Sequence, residues 1–315
     1  MIAIRTYQHQ KWRNIVHSIV LLVAMMMLFF GLGRFLFGPT GSVFMLLAGT
    51  LMLLFAPQAS MWMTLRMFRA RRLSPWDAPD LHAMIETLAT RGGLEHVPEI
   101  YWVPSAVPNA FAMSGGGRTL VAVSDGLLRL LNGRELAGVL AHEISHIRHG
   151  DLFVMSMADM LSRMTALMSD VGWISLLLFL PVSLLYGIDI PWMFILLLMV
   201  APMLSMLLQL ALSRTREFDA DLGAVELTND PIGLAHALLK IEQGMRHWWR
   251  WILPGSEGMA PSLLRTHPLT SERVERLRSL VGDARGHPLF DDSPIEMPGH
   301  PVQERRRWRG IGFWY

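Results

Sequence analysis

The sequence predicts a mainly helical α+β protein with a small edge-exposed β-sheet and four transmembrane helices paired as two hairpins. Three observations predict it. Hydrophobic residues make up 52% of the 315 positions and charged residues only 17%, and the apolar residues pool into long runs instead of spreading evenly, as membrane-crossing segments require. Short stretches between the runs are rich in β-branched and aromatic residues and are set off by glycine, asparagine and proline. Other stretches repeat apolar residues at the spacing of an amphipathic helix.

Four runs approach or exceed the roughly 20 residues that a helix needs to cross a bilayer core. Residues 15–37 carry one charge, Arg34, near the far end, whereas 42–63, 171–188 and 192–212 carry none. Arg5, Lys11 and Arg13 precede the first run as they would in a signal peptide, but signal cores extend over only about 7–15 residues. This run is longer and leads almost directly into the second, so a retained anchor is expected. Arg66, Arg69, Arg71 and Arg72 crowd the end of the second run, and no lysine or arginine occurs between Arg163 and Arg214. Basic residues collect on the cytoplasmic side of a membrane, so both hairpins are expected to begin and end there. Pro181 and Pro202 are compatible with spans, where neighbouring groups satisfy the freed carbonyls. The net charge of +2 and the pI near 9.3 come mainly from these flanks and the far C-terminus. No nucleic-acid partner is expected.

Outside the runs, SPWDAPDLHAMIETLATRGG predicts a helix stopped by Gly92 and Gly93. EIYWV at 99–103 predicts a strand, and NAFAM and TLVAV, joined by SGGGR, predict a hairpin with a glycine loop. RELAGVLAHEISHIRHG, residues 134–150, predicts one amphipathic helix ending on glycine. The tail over 286–315 is rich in proline, histidine and acids and then in arginine, and is expected to be loosely ordered.

The chemistry concentrates in LAHEISHIRHGD. His142 and His146 stand four residues apart, on one face of the predicted helix, so both imidazoles can reach one ion. Glu143, turned by one residue, can reach a group bound to that ion. This is the H-E-x-x-H arrangement of a metalloprotease. The chain has no cysteine, so the ligands must be nitrogen and oxygen, and zinc suits three of these with a fourth position kept for water. His149 lies a further turn along and is expected at the surface or behind the ligands. SRTREFDAD supplies the third ligand, Glu217, with Asp221 one turn on and placed to accept a hydrogen bond from the far nitrogen of a ligating histidine. Seen alone, these acids would read as a salt-bridged surface helix with Arg214 and Arg216.

Together these segments resemble the HtpX-type membrane zinc metalloproteases, relatives of the CAAX prenyl proteases. The resemblance rests on HEISH after ELAGVLA, on SRTREFDAD, on PNAFAMSGGGRTLVAVSDGLL, on THPLTSERVERL and on the placement of the two apolar hairpins. It extends over about residues 15–281. It implies a zincin-type domain in which His142, His146 and Glu217 hold one Zn²⁺ per chain and Glu143 is the catalytic acid–base. It further implies a stress-response enzyme of the bacterial inner membrane that hydrolyses misfolded or damaged membrane and cytosolic proteins. The tail beyond 286 has no counterpart in that pattern.

The expected division is a cytoplasmic N-terminus over 1–14, a first hairpin over 15–63 and a first half-domain over 64–170. A second hairpin over 171–212 and a second half-domain over 213–285 follow, with the tail over 286–315. Polypeptides and the lipid bilayer are the expected partners, and self-association is left open. Substrate is expected to add as a strand along Asn109, Ala110 and Phe111. His267 matches an oxyanion-stabilising role only by resemblance, and helix capping is an equal reading. Two rival functions are a non-catalytic zinc-bound membrane scaffold or chaperone, which would have no use for Glu143, and a site-2-type intramembrane protease. The latter places H-E-x-x-H inside a span, whereas here Arg134, Glu135, Arg148 and Asp151 flank it.

Overall fold

The computed structural model describes residues 61–187, 192–252, 270–281 and 287–293, with scattered positions between 16 and 51. The first apolar run, His267 and the end of the tail therefore lie wholly or largely outside the described residues. The elements in order are β1 (Arg71–Arg72), α1 (Pro79–Arg91), β2 (Glu99–Val103), β3 (Ala110–Gly115), β4 (Arg118–Ser124), α2 (Asp125–Leu130) and α3 (Gly133–His149). They continue with α4 (Asp151–Tyr186), α5 (Trp192–Thr228), α6 (Pro231–Ile252) and α7 (Thr270–Ser279). The helical majority and the small sheet expected from the sequence are both present.

The sheet runs β1-β2-β4-β3. β1 pairs antiparallel with β2, β2 parallel with β4, and β3 antiparallel with β4, so β3 is an outer strand. Side chains alternate across the sheet. Ile100, Val121 and Val123 face the main core with Leu81, Ile85, Leu88, Leu136, Leu140 and Ile144 of α1 and α3. Val103, Leu120 and Ala122 face the other way, where Phe111, Met113, Met61 and Leu65 cover them. Both faces are covered, as a sheet containing a parallel pair requires.

α4 and α5 are 36 and 37 residues long, about 54–56 Å at ~1.5 Å per residue, well beyond a bilayer core of about 30 Å. Each therefore runs without interruption from an apolar segment to the elements packed around the sheet. Among the described residues one helix, Thr165–Tyr186, is long and apolar enough to cross a membrane, and Gly38–Leu51 and Met199–Leu208 are shorter apolar helical stretches. Pro181 and Pro202 both lie inside helices.

The tail departs from expectation at its start. Residues 287–293 were expected to be loose, yet they dock on the N-terminus of α3. Gly133 N donates to Ser293 O at 2.8 Å, Leu289 N to Thr228 O at 3.2 Å, and Asn132 Nδ2 to Asp292 Oδ1 at 2.9 Å. Phe290 packs against the main core. One aromatic anchor and the orphan donors of a helix start give this polar segment a place to bind.

The turn from α5 to α6 is fixed by Asp230. Its Oδ1 accepts from Gly233 N at 2.8 Å and from Arg134 Nη2 at 2.8 Å, so one carboxylate caps α6 and ties it to the start of α3. Burial pushes the carboxyl's pKa up, but the Arg134 guanidinium and the backbone amides outweigh it and hold it below the usual range. Asp230→Ala is expected to cost about 2–3 kcal/mol by removing a cap and a charged hydrogen bond. Thermal unfolding of the detergent-solubilised protein measures this, and an unchanged midpoint would refute it.

Candidate metal centre

The helix that carries the histidines is fixed at both ends. Asn132 Oδ1 accepts from Glu135 N at 2.9 Å and Glu135 Oε2 accepts from Asn132 N at 3.1 Å, a reciprocal capping box that sets the start of α3. Gly150 ends it in the left-handed region at φ 71°. Leu136, Leu140 and Ile144 anchor the helix in the core, which leaves His142 and His146 pointing toward α5. The two helices cross closely at Gly223, where a Cβ would run into Ser145 Oγ. This approach brings Glu217 within reach of both histidines.

His142 Nε2 lies 3.4 Å from Glu217 Oε2, His146 Nε2 lies 3.8 Å from Glu217 Oε1, and the two Nε2 atoms are 3.2 Å apart. One ligand atom from each of the three residues falls within 4.8 Å of the others, and all three residues are buried. Glu217 is 0% exposed.

Behind these three candidate ligands lie two aspartates. His142 Nδ1 is 3.0 Å from Asp221 Oδ1, the partner the sequence spacing anticipated. His146 Nδ1 is 3.0 Å from Asp151 Oδ2, which the spacing did not identify. Each aspartate meets an arginine. Arg273 of α7 grips Asp221 with Nε at 2.8 Å and Nη2 at 2.6 Å, and its Nη1 reaches Glu217 Oε2 at 3.1 Å. Arg216 Nη1 donates to the second oxygen of Asp151. With both Nδ1 atoms engaged, the Nε2 atoms are the ones turned inward. With both imidazoles neutral, as metal ligation requires, three buried carboxylates against two guanidinium groups leave a negative balance. Two imidazole nitrogens and a carboxylate facing a common point therefore fit a divalent cation in both donor type and charge.

Electrostatics agree with this. Burial and the nearby Arg273 both act to lower the His142 pKa, but the Asp221 and Glu217 carboxylates prevail and raise it to about 9. The same neighbours, Arg273 first and then His142, hold Asp221 below the usual carboxylate range against the upward push of burial.

Glu143 faces the sheet. Its Oε2 accepts from Ala112 N at 2.8 Å, so the Ala112 amide points away from β4, off the open side of β3. Backbone groups alternate along a strand, which turns Ala110 outward with Ala112 and turns Phe111 and Met113 toward β4. The Phe111 ring packs behind the sheet against Phe68 at 5.8 Å. The Asn109 backbone is taken up by Ser124, whose Oγ accepts from Asn109 N at 2.8 Å and whose N donates to Asn109 O at 2.9 Å. The outward backbone groups of β3 are therefore those of Ala110 and Ala112, whereas those of Asn109 and Phe111 face β4. His149 Nδ1 lies 3.4 Å from Ser145 Oγ, one turn beyond His146 along α3. Arg273, which sits within SERVERL, resembles any charged residue of a surface helix in the sequence, and only its burial reveals it.

A buried pair of imidazoles and a carboxylate, with a glutamate beside them on an open sheet edge, defines a metallopeptidase centre. Residues 75–281 match Peptidase family M48. The chain is 35% identical over 288 residues to a "Protease HtpX homolog" of Pyrococcus abyssi, covering 83% of this chain and 94% of that one. Homologs so named from Methylibium petroleiphilum and Persephonella marina are 32% and 34% identical, covering 85% and 84% of this chain and 98% and 97% of theirs. Among solved structures, S. mikatae Ste24p is similar at 20% identity with a TM-score of 0.46, over 88% of this chain and 67% of that chain. The chain belongs to Peptidase family M48 and is a metallopeptidase.

Chelator-stripped protein should show the His142 shift as a pH dependence of stability. The folded value of about 9 exceeds the ordinary 6.5, so the stabilisation is fully present below pH 6.5 and is lost as the pH rises through 9. The unfolding midpoint should fall across that window, and Asp221→Asn should flatten the fall. An equally steep fall in Asp221→Asn would refute the assignment.

Proposed function

We propose that this metallopeptidase is an integral-membrane, zinc-dependent endopeptidase of membrane quality control that cleaves misfolded or damaged membrane and cytosolic polypeptides. The observation that carries the reading is the convergence of His142, His146 and Glu217 beside a glutamate that reaches the open strand. These three residues hold the ion and Asp221 orients His142. Zinc matches two imidazoles and one carboxylate with a position left for solvent. When bound, the ion supplies Lewis acidity, lowering the pKa of water toward ~7 and polarising a peptide carbonyl.

Glu143 takes the proton of the attacking water and returns it to the leaving amine. Its contact with Ala112 N supports this role, because it places the carboxylate against the strand along which an extended substrate would pair. The outward groups of Ala110 and Ala112 bind substrate backbone. Backbone pairing tolerates many sequences, as a quality-control enzyme needs.

The lipid bilayer is the second partner. The four apolar runs form two hairpins, over 15–63 and 171–212, that keep both termini and the catalytic halves, 64–170 and 213–285, in the cytoplasm of a bacterial cell, at the inner membrane. The 22-residue apolar helix Thr165–Tyr186 and the arginines flanking the runs support this arrangement.

Glu143→Gln is expected to retain zinc and lose roughly 10²–10⁴-fold or more in cleavage of a casein-like substrate. His146→Ala and Glu217→Ala should lose both zinc and cleavage. Metal analysis of the purified variants beside the cleavage assay decides it, and wild-type turnover by Glu143→Gln would overturn the mechanism. Ala112→Pro, which removes the outward donor and with it the Glu143 hydrogen bond without cutting the pairing to β4, should raise KM and lower kcat together. Unchanged kinetics in that variant would argue against strand addition.

A further inference from the structure

Asp151 lies outside H-E-x-x-H, yet it is the side chain against His146. The left-handed turn at Gly150 swings the first residue of α4 back toward α3, which places Asp151 Oδ2 3.0 Å from His146 Nδ1. The other carboxylate oxygen accepts from Arg216, the residue on α5 immediately before Glu217. All of these side chains are buried. A single carboxylate therefore touches the histidine helix on one side and the neighbour of the carboxylate ligand on the other.

The same ion pair is the lowest rung of the seam between α4 and α5. Ser162 Oγ meets Ser205 Oγ at 3.0 Å. From Asp151 to Ser162 along α4, and from Arg216 back to Ser205 along α5, the separation is eleven residues in each case, about three turns at ~3.6 residues per turn. The helices therefore pair antiparallel in one register, with both rungs on one face. Thr165, Ser169 and Ala201 are buried too, and small side chains let two helices approach closely in an apolar setting. The seam thus runs from the apolar helix pair directly to His146 and Glu217.

We propose that Asp151 is a positioning residue for His146, and that the Asp151–Arg216 pair couples seating of the α4–α5 rods to metal affinity. An acceptor on Nδ1 fixes the tautomer and leaves the Nε2 lone pair for the ion. Arg216 fixes that acceptor to the helix carrying Glu217, so parting of the rods misaligns two ligands together. The inference rests on the reading of His142, His146 and Glu217 as ligands.

Cobalt(II) binding to the full-length protein in detergent, followed by visible absorption and chelator competition, tests it. Asp151→Ala should weaken cobalt binding about 10–100-fold, and Asp151→Asn, which preserves shape, should weaken it in the same direction if the alanine variant does not fold. Ser205→Leu, remote from the ligands, should also lower affinity. The charge swap Asp151→Arg with Arg216→Asp restores an ion pair between the rods but sets a cation against His146, so affinity should stay low. Wild-type affinity in Asp151→Ala or Asp151→Asn, or full recovery in the swap, overturns the positioning role. Wild-type affinity in Ser205→Leu overturns the coupling. A wild-type chain that took up no cobalt would sink the metal-ligand reading itself as well as this inference, whereas uptake with the variants unaffected would sink this inference alone.

Discussion

A carboxylate with no solvent exposure, set between two imidazoles, is the constraint around which this fold is arranged. Burying an ionised Glu217 costs several kcal/mol unless opposite charge lies against it, and the Arg273 guanidinium supplies that charge at 3.1 Å. Arg273 comes from α7 and contacts both Glu217 and Asp221. Arg216 comes from α5 and Asp151 from α4, and together they brace His146. The cluster is buried, and once its imidazoles are neutral its carboxylates outnumber its guanidinium groups, a balance that favours a divalent cation.

The sheet gives this cluster its orientation. α3 lies on the face formed by Ile100, Val121 and Val123, and its capping box fixes where the helix starts and hence which side chains reach the outer strand. Glu143 is the residue at that boundary, with its backbone in the metal-facing helix and its carboxylate on the Ala112 amide. A different start to α3 would turn Glu143 away from β3 while still allowing two histidines four residues apart. The docking of residues 287–293 on Gly133 and Asn132 reinforces that start from the far end of the chain.

Much of this could be read from local pattern. The four-residue spacing of His142 and His146 survives folding because a helix preserves it, and the same holds for Glu217 and Asp221. The alternation in EIYWV and TLVAV appears as two sheet faces, and SGGGR closes the hairpin with Gly116 and Gly117 at positive φ. What could not be read is whatever depends on burial across distant segments. Asp151 looks like a flanking charge, Arg216 like a surface cation, and Arg273 like one of several charges in TSERVERL. Each becomes part of the site only because other elements bury it. The composition of the tail is that of a loose segment, and the docking of its first part depends on one phenylalanine and on donors exposed at the start of α3.

The uninterrupted length of α4 and α5 separates two demands that the proposed membrane peptidase must meet. Pro181 and Pro202 sit in the apolar parts, where loss of a backbone hydrogen bond permits bending, whereas the segments nearest the ligands contain no proline. On that sequence pattern, a bend is expected at the distal parts, with the proximal parts behaving as straight rods. A stiff lever transmits displacement to its end, and the ends here are Asp151 and the stretch from Arg216 to Asp221. The ligand set is therefore only as well ordered as the packing of two helices whose outer surfaces are largely apolar, and that packing depends on the medium around them. On the proposal that Asp151 and Arg216 link the two rods to the candidate ligands, solvation of the helix pair and metal affinity change together.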